Sequence, residues 1–432
     1  MLLTTVLAGI ATTPAHAESI RSQQWHLDAM GADEIWKIST GKGVTVAVID
    51  TGVDATNGDL RGRVLEGKDL TPDEPGDERT DNDGHGTGMA GIIAGTGSSG
   101  GGDGAFGLAP GAKILPVRVP GEKQLASQAE AEEQFNVLAP EAIRYATDAG
   151  AKVINVSMGV DRGSPQLAAA VRYANEKGSL IFAATGNDGL NQDEYPASTP
   201  GVVAVGSLGK DLKKSDFSQF GPQVDVSAPG ENIIHACGGK TGLCNGKGTS
   251  HATAIASATA ALIWSQHPEW TNNQVLRVML NTISGPTSGN KRNDHIGYGA
   301  VRPLRALTTP GDPGPADEYP LPDFTYAAAK SPSPEPSSPA KASAQPTAPS
   351  TASDDDSNSP TVWIAAGIGT AAVLGAAVVI PGLRNRRRTR TTPAPAVTTP
   401  PYPHESGQPY YAQQPLPPHG AHHNQNRKDG GT

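Results

Sequence analysis

From residue 44 onward, apolar runs of strand length alternate with segments whose apolar residues recur at helical spacing. VTVAVID (44–50) is a continuous apolar run closed by an acid, the pattern of a strand covered on both faces of a parallel sheet. AKILPVRV (112–119), AKVINVSMG (151–159) and SLIFAATGN (179–187) repeat it, followed by the shorter GVVAVGSLG (201–209) and VDVSAPG (224–230). Between them, GHGTGMAGIIAG (84–95), APEAIRYATDAG (139–150) and PQLAAAVRYANEKG (165–178) read as helices. GTSHATAIASATAALIW (248–264) and TNNQVLRVMLNTI (271–283) follow as two more, with Thr271 a plausible N-cap for the second. Repeated strand–helix–strand alternation predicts one α/β domain with a parallel sheet over residues 43–307.

Outside that domain the pattern changes. Residues 308–360 are dominated by Pro, Ser, Ala and Asp. Such a segment buries too little apolar surface to offset its ordering entropy, so a disordered linker is expected. Residues 362–380, VWIAAGIGTAAVLGAAVVI, carry no charge over a length close to the ~20 residues that a bilayer-spanning helix needs. With Pro-rich segments on both sides there is no core for them to join, and a transmembrane helix over 361–383 is expected. RNRRRTR follows at once, and the positive-inside rule then places residues 384–432 in the cytoplasm. At the other end, an apolar run followed by Ala15-His16-Ala17 reads as a signal peptide over residues 1–17. The expected localisation is therefore a single-pass cell-membrane protein with its globular domain outside.

Charge agrees with this division. From residue 383 on, seven Lys/Arg face two Asp/Glu, a net of +5 against −9 for the chain, so the rest carries −14. An acidic domain argues against nucleic-acid binding. The two cysteines, Cys237 and Cys244, lie close together with glycines between them. In an exported protein such a pair reads as a disulfide pinning a loop, and no further ligand pattern accompanies them for zinc.

In open parallel sheets reactive residues gather at the carboxyl ends of strands. Asp50 ends the first strand, Asn155 and Ser157 lie near the end of another, and Asn187 follows a third. His85 opens a helix between glycines, and Ser250 lies at the start of the alanine-rich helix beside His251. Ser250 or Thr249 as a mere helix cap is the simpler reading of that stretch. If Ser250 is a nucleophile, His251 is badly placed as its base, because adjacent helical residues point about 100° apart. A base within ~3 Å, oriented by a third group, is required. Asp50 and His85 fall where the sheet's reactive edge belongs.

Three stretches resemble one family: VAVIDTGVD (46–54), DGHGTGMAG (83–91) and GTSHATA (248–254) look like the catalytic motifs of the subtilisin-like serine proteases, or subtilases. SMG (157–159) and ATGN (184–187) match that family's substrate-binding segments and oxyanion asparagine, and all five occur in the family's order. The resemblance implies a three-layer subtilisin-like fold with a mostly parallel central sheet. It also implies Ser250 as nucleophile, His85 as its base, Asp50 as the group orienting His85, and Asn187 as oxyanion donor. Ser157, Met158, Gly159, Ala184, Thr185 and Gly186 are then expected to flank a peptide substrate. No cofactor and no metal are expected; DNDG (81–84) lacks the spaced carboxylates of a calcium loop. The chain departs from the family at Ala254, where a proline is usual, and at His251, where an apolar side chain is usual.

Residues 18–42 are too few for an independent core and read as an arm clasping the domain, not as a separate prodomain. Arm, protease domain, Pro-rich linker, single span and basic juxtamembrane run together resemble the mycosins, membrane-anchored subtilases associated with type VII secretion. That resemblance implies limited processing of a secreted protein substrate, and a type VII membrane complex as partner. It implies, as an alternative, a structural subunit of that complex, with Gly367, Ala371 and Gly375 as a helix-contact stripe. Two polar insertions, 71–83 and 120–136, are expected as loops that narrow access to the cleft.

Overall fold

A computed structural model of the protein describes residues 18–121, 127–238, 241–286 and 291–325. Its centre is a seven-stranded, wholly parallel sheet. In chain order the strands are β1 (Thr45–Asp50), β2 (Lys68–Asp69), β3 (Lys113–Arg118), β4 (Val153–Val156), β5 (Leu180–Ala184), β6 (Val202–Leu208) and β7 (Val226–Pro229), arranged β2-β3-β1-β4-β5-β6-β7. β1 lies between β3 and β4, with Val48 opposite Pro116 on one side and Asn155 on the other.

The unbroken apolar runs have a direct cause. Val46 and Val48 pack into one layer with α4 (His85–Ala94) and α7 (Thr249–Gln266). Ala47 and Ile49 point the other way, onto α5 (Gln128–Asp148) and α6 (Pro165–Glu176). A strand covered on both faces cannot alternate polar and apolar residues. The alanine-rich α7 runs through the centre of its layer, and sixteen of its residues, Thr249 to Trp264, are buried. A helix apolar all round is a core helix. Ala254 lies in it without interrupting it. The last helices are α8 (Asn272–Thr282), opened by a Thr271–Gln274 capping box, and α9 (Pro303–Thr308).

The arm forms three short helices, α1 (Ile20–Gln23), α2 (Trp25–Met30) and α3 (Ala32–Ile35). Leu27, Ala32 and Ile35 are fully buried in the same core as α7. Gln24 Nε2 donates to the carbonyls of Phe106 (2.8 Å) and Ile234 (2.9 Å), and Trp36 Nε1 to that of Leu108 (3.0 Å).

Two expectations are corrected, and one element is new. The domain continues beyond residue 307: Tyr319, Leu321 and Phe324 are buried, and Gly201 N donates to Asp323 Oδ2 (3.1 Å). Residues 309–325 are thus part of the packed domain, because three large side chains outweigh the Pro- and Gly-rich composition around them. α5 starts at 128, not 139, so the second half of the insertion 120–136 is helix. Its N-cap is Ser127, whose Oγ accepts from Glu130 N (3.2 Å), and Pro140 lies inside the helix although proline favours a first turn. A two-stranded antiparallel hairpin, β8 (Ile233–Ala236) and β9 (Leu243–Gly246), was not anticipated; the Cys237–Cys244 disulfide joins its ends.

Among the described residues no helix is long and apolar enough to cross a membrane. The expected signal peptide (1–17), span (361–383), tail (384–432) and Gly367/Ala371/Gly375 stripe lie outside the described residues, as does the linker beyond 325.

Candidate active site

Because all seven strands run the same way, their carboxyl ends share one edge. β1 ends on Asp50; β4 runs into Ser157–Gly159; β5 ends on Ala184 and runs into Thr185, Gly186 and Asn187. α4 begins with His85, and α7 presents Ser250 as its second residue.

The buried Asp50 meets His85 across this edge, with Nδ1 to Oδ1 at 2.8 Å. Thr51 N donates to the same oxygen (2.8 Å), while Asp50 Oδ2 is buried with no partner among the described residues. A half-satisfied buried carboxylate stabilises a cation on its neighbour. Burial alone lowers the His85 pKa; the charge and hydrogen bond of Asp50, helped by Asp81 and Asp83, outweigh it and raise the value to about 9. The contact on Nδ1 leaves Nε2 as the nitrogen for proton exchange.

Asp81 fixes this pair from behind. Its Oδ1 accepts from Thr51 Oγ1 (2.9 Å), Gly84 N (2.7 Å) and Asp83 N (3.2 Å), and its Oδ2 from Thr87 N (2.8 Å) and Thr87 Oγ1 (2.6 Å). Burial raises its pKa against the pull of these bonds. The insertion 71–83 that carries it is anchored on Arg118, which is buried and donates to Glu74 Oε2 (3.0 Å) and to the Pro75 carbonyl (3.2 Å). The sequence marked Asp81 only as part of a calcium-loop lookalike; its clamp joins residues 30 apart and needs the fold to be seen.

Ser250 follows the N-cap Gly248, whose φ of 154° disfavours residues bearing a Cβ. Its Oγ donates to the main-chain carbonyl of Ser157 (3.1 Å). Asn187 is exposed, and its Oδ1 accepts from Thr249 N (2.9 Å) and Thr249 Oγ1 (3.1 Å). These two donors fix the amide's orientation.

A cleft of about 340 Å³ gathers His85, Ser157, Met158, Gly159, Ala184, Gly186, Asn187 and Ser250. Asp83, Glu194 and Lys247 also line it. Thr185 is the exception among the expected substrate-binding residues: it is fully buried, and its Oγ1 donates to the Val205 carbonyl of β6 (3.3 Å). Asn155 is structural too. It is buried, donating to Ser157 Oγ (2.9 Å) and accepting from Ser257 Oγ of α7 (3.1 Å). Glu194 and Lys247 went unnoticed, since an isolated charge in a loop carries no sequence signal.

His251 does not reach Asp50. Its ring packs edge-on against His235 with centroids 5.0 Å apart, and both its nitrogens are buried without partners among the described residues. Burial, then the nearby His235, His85 and His26, hold its pKa well below 6.5. It is a neutral packing residue beside Ser250.

The profile of the subtilase family matches residues 41–299. The chain belongs to the subtilase family. It is 36% identical over 280 residues to the thermophilic serine proteinase of Bacillus sp. (strain AK1), an alignment covering 64% of this chain and 65% of that protein, so it spans just under two thirds of that relative. Among solved structures, MycP1 from Mycobacterium smegmatis superposes with a TM-score of 0.59 at 31% identity, covering 70% of this chain and 89% of that one. The MycP3 protease of the type VII (ESX-3) secretion system gives 0.57 at 33% identity, covering 66% and 88%.

Proposed function

We propose that the protein is a serine endopeptidase in which Ser250, His85 and Asp50 act as nucleophile, base and orienting acid. The observation that carries this reading is the His85–Asp50 contact at 2.8 Å, in the cleft that also holds Ser250 and Asn187. Ser250 Oγ turns from the Ser157 carbonyl to His85 Nε2 and attacks the peptide carbonyl as His85 takes its proton. The negative oxygen that forms lies at the start of α7, where Asn187 Nδ2 and the Ser250 N–H donate to it. His85 then protonates the leaving amine, and water repeats the sequence on the acyl-enzyme. The likeness to MycP1 and MycP3 supports a role beside a type VII secretion complex, with residues 361–383 as the anchor and a secreted protein as substrate. Labelling of the purified full-length chain with a fluorophosphonate tests the chemistry. Wild type labels and Ser250→Ala and His85→Ala do not; an unlabelled, well-folded wild type overturns the reading.

A second reading rests on the likeness to MycP1, an essential component of the type VII (ESX-1) secretion system. In it the protein serves mainly as a subunit of the complex. Secretion that survives Ser250→Ala but fails when residues 362–380 are replaced by an unrelated span would establish it.

A further inference from the structure

A second groove, of about 1180 Å³, lies where the end of α2 meets α9 and the turn after β6. It exceeds the roughly 300–1,000 Å³ of small-molecule pockets. Leu304 of α9 and Ile296 line it half-buried, and Leu212 stands beside them 61% exposed. Leu212 is held at φ 61°, in the left-handed region that favours glycine and asparagine. Its N–H donates to the Gly209 carbonyl (3.0 Å), and Gly209 N to the Lys213 carbonyl (2.9 Å), so the turn fixes the leucine there. Neither burial nor backbone preference accounts for a leucine at this place. α9 supplies the charge. Arg302 is its N-cap and Arg305 follows three residues on, on the same side of the helix. Both are exposed, both line the groove, and neither forms an ion pair among the described residues. Asp28, on the α2 side, is already paired with Arg21 (2.8 Å). The groove thus carries two uncompensated positive charges, although the chain before residue 383 has a net charge of −14.

We propose that this groove docks a partner protein, which lays along it an acidic segment bearing leucine-like side chains. The argument is one of apolar cover and charge complementarity. An exposed leucine contributes to stability only once another apolar surface covers it. Two guanidinium groups on one helix face attract carboxylates and repel cations, so they select an acidic segment over a basic one. A second copy of this chain is a poor occupant, because a two-fold contact through the groove would bring the same arginines together. The groove also lies close to the cleft. Leu208, on its wall, accepts from Gly230 N (3.0 Å), and the Gly230 carbonyl accepts from Gly248 N (2.9 Å), the N-cap of the Ser250 helix. A docked partner is therefore held beside the cleft, two main-chain hydrogen bonds away from it. The proposal stands on the groove alone and does not need the protease reading.

The test measures fluorescence anisotropy of short fluorescein-labelled peptides mixed with the full-length chain. The peptides alternate leucine with glutamate, leucine with lysine, or serine with glutamate. The Leu/Glu peptide should bind, and the other two should bind weaker by about tenfold or more. Arg302→Glu combined with Arg305→Glu should weaken the Leu/Glu peptide by about tenfold and strengthen the Leu/Lys peptide. Leu212→Asn suits the left-handed turn, so it should keep or raise Tm while weakening the Leu/Glu peptide by about tenfold. Fluorophosphonate labelling should be the same in every variant. No binding of the Leu/Glu peptide up to about 1 mM, or equal binding of all three peptides, overturns the proposal. So does an affinity left unchanged by either the arginine pair or Leu212→Asn. Self-association in sedimentation that Leu212→Asn abolishes gives the groove to a second copy and overturns it as well. A wild type that binds the Leu/Glu peptide but takes no fluorophosphonate overturns the protease reading alone.

Discussion

Ser157 and Ser250 hold each other: Ser250 Oγ donates to the Ser157 carbonyl at 3.1 Å, and Ser157 Oγ to the Ser250 carbonyl at 3.4 Å. Ser250 is thereby tied to the segment expected to bind substrate backbone. Only the longer of the two bonds uses the Ser157 side chain, whose hydroxyl also accepts from the buried Asn155 Nδ2. Ser157→Ala therefore leaves the Ser250 hydroxyl engaged but strands the Asn155 amide. We expect a loss of about 1–3 kcal/mol in stability, read from the denaturant midpoint, with fluorophosphonate labelling retained. Loss of labelling in a folded variant would mean that the Ser157 hydroxyl matters to the chemistry itself.

Asn187 offers a cleaner separation of binding from catalysis. Its oxygen anchors Thr249, and in the proposed mechanism its amide nitrogen donates to the developing oxyanion. Asn187→Ala should lower kcat for peptide amides by about 10²–10³ and leave KM little changed. An unchanged kcat would remove Asn187 from the oxyanion site.

The charge on His85 sets the pH dependence. Its folded pKa, raised to about 9 from the ordinary 6.5, means that the ion pair with Asp50 stabilises the fold fully below pH 6.5 and that this contribution is lost as pH rises through about 9. Only neutral His85 can accept the serine proton, so kcat/KM should climb on the alkaline side of 6.5 toward about 9. Asp50→Asn should bring that limb down in pH while lowering the plateau steeply. A wild-type limb at or below pH 6.5 would count against this description of the pair.

The buried His26, His235 and His251 give the opposite dependence. Burial, with the charges of His235 and Arg21, lowers His26 to about 3, and burial lowers His235 to about 4 despite its bond to the Ile233 carbonyl. Unfolded chains bind these protons from pH 6.5 downward and the folded protein does not. Each residue thus costs about 1.4 kcal/mol of stability per pH unit below 6.5, until its folded pKa is reached. His26, fully buried with both ring nitrogens unpartnered among the described residues, is the one to change. His26→Leu should flatten the fall of Tm between pH 6 and pH 4; an unchanged slope would show that His26 is hydrated or protonated in the folded state.

Much of this was legible in the sequence, for a physical reason. Strands buried on both faces must be apolar throughout, so Val46–Ile49 and Leu180–Ala184 announced themselves, and their ends located Asp50 and Asn187. Residues whose role depends on distant partners were silent: Asp81 clamps Thr51 through contacts that no local pattern encodes. Thr185 misled because a motif fixes a segment but not the direction of each side chain within it. α5 reaches back to Gln128, beyond the 139–150 that its apolar spacing marked, and the composition of 309–325 hid the three side chains that bury there.

The arm has a consequence for the order in which the domain can be completed. Leu27 and Ile35 share a core with Leu307 and Phe324, Ser39 Oγ caps the Leu262 carbonyl at 2.9 Å, and Gly31 packs on Leu304. The first stretch of the domain to be synthesised is therefore buried by some of the last. Until residue 325 has emerged, Trp25, Leu27, Ile35 and Trp36 lack their covering surfaces and stay sticky to other chains. The nascent domain needs either shelter for those side chains or a quick final closure, and a break in the arm after folding would reopen the same apolar face.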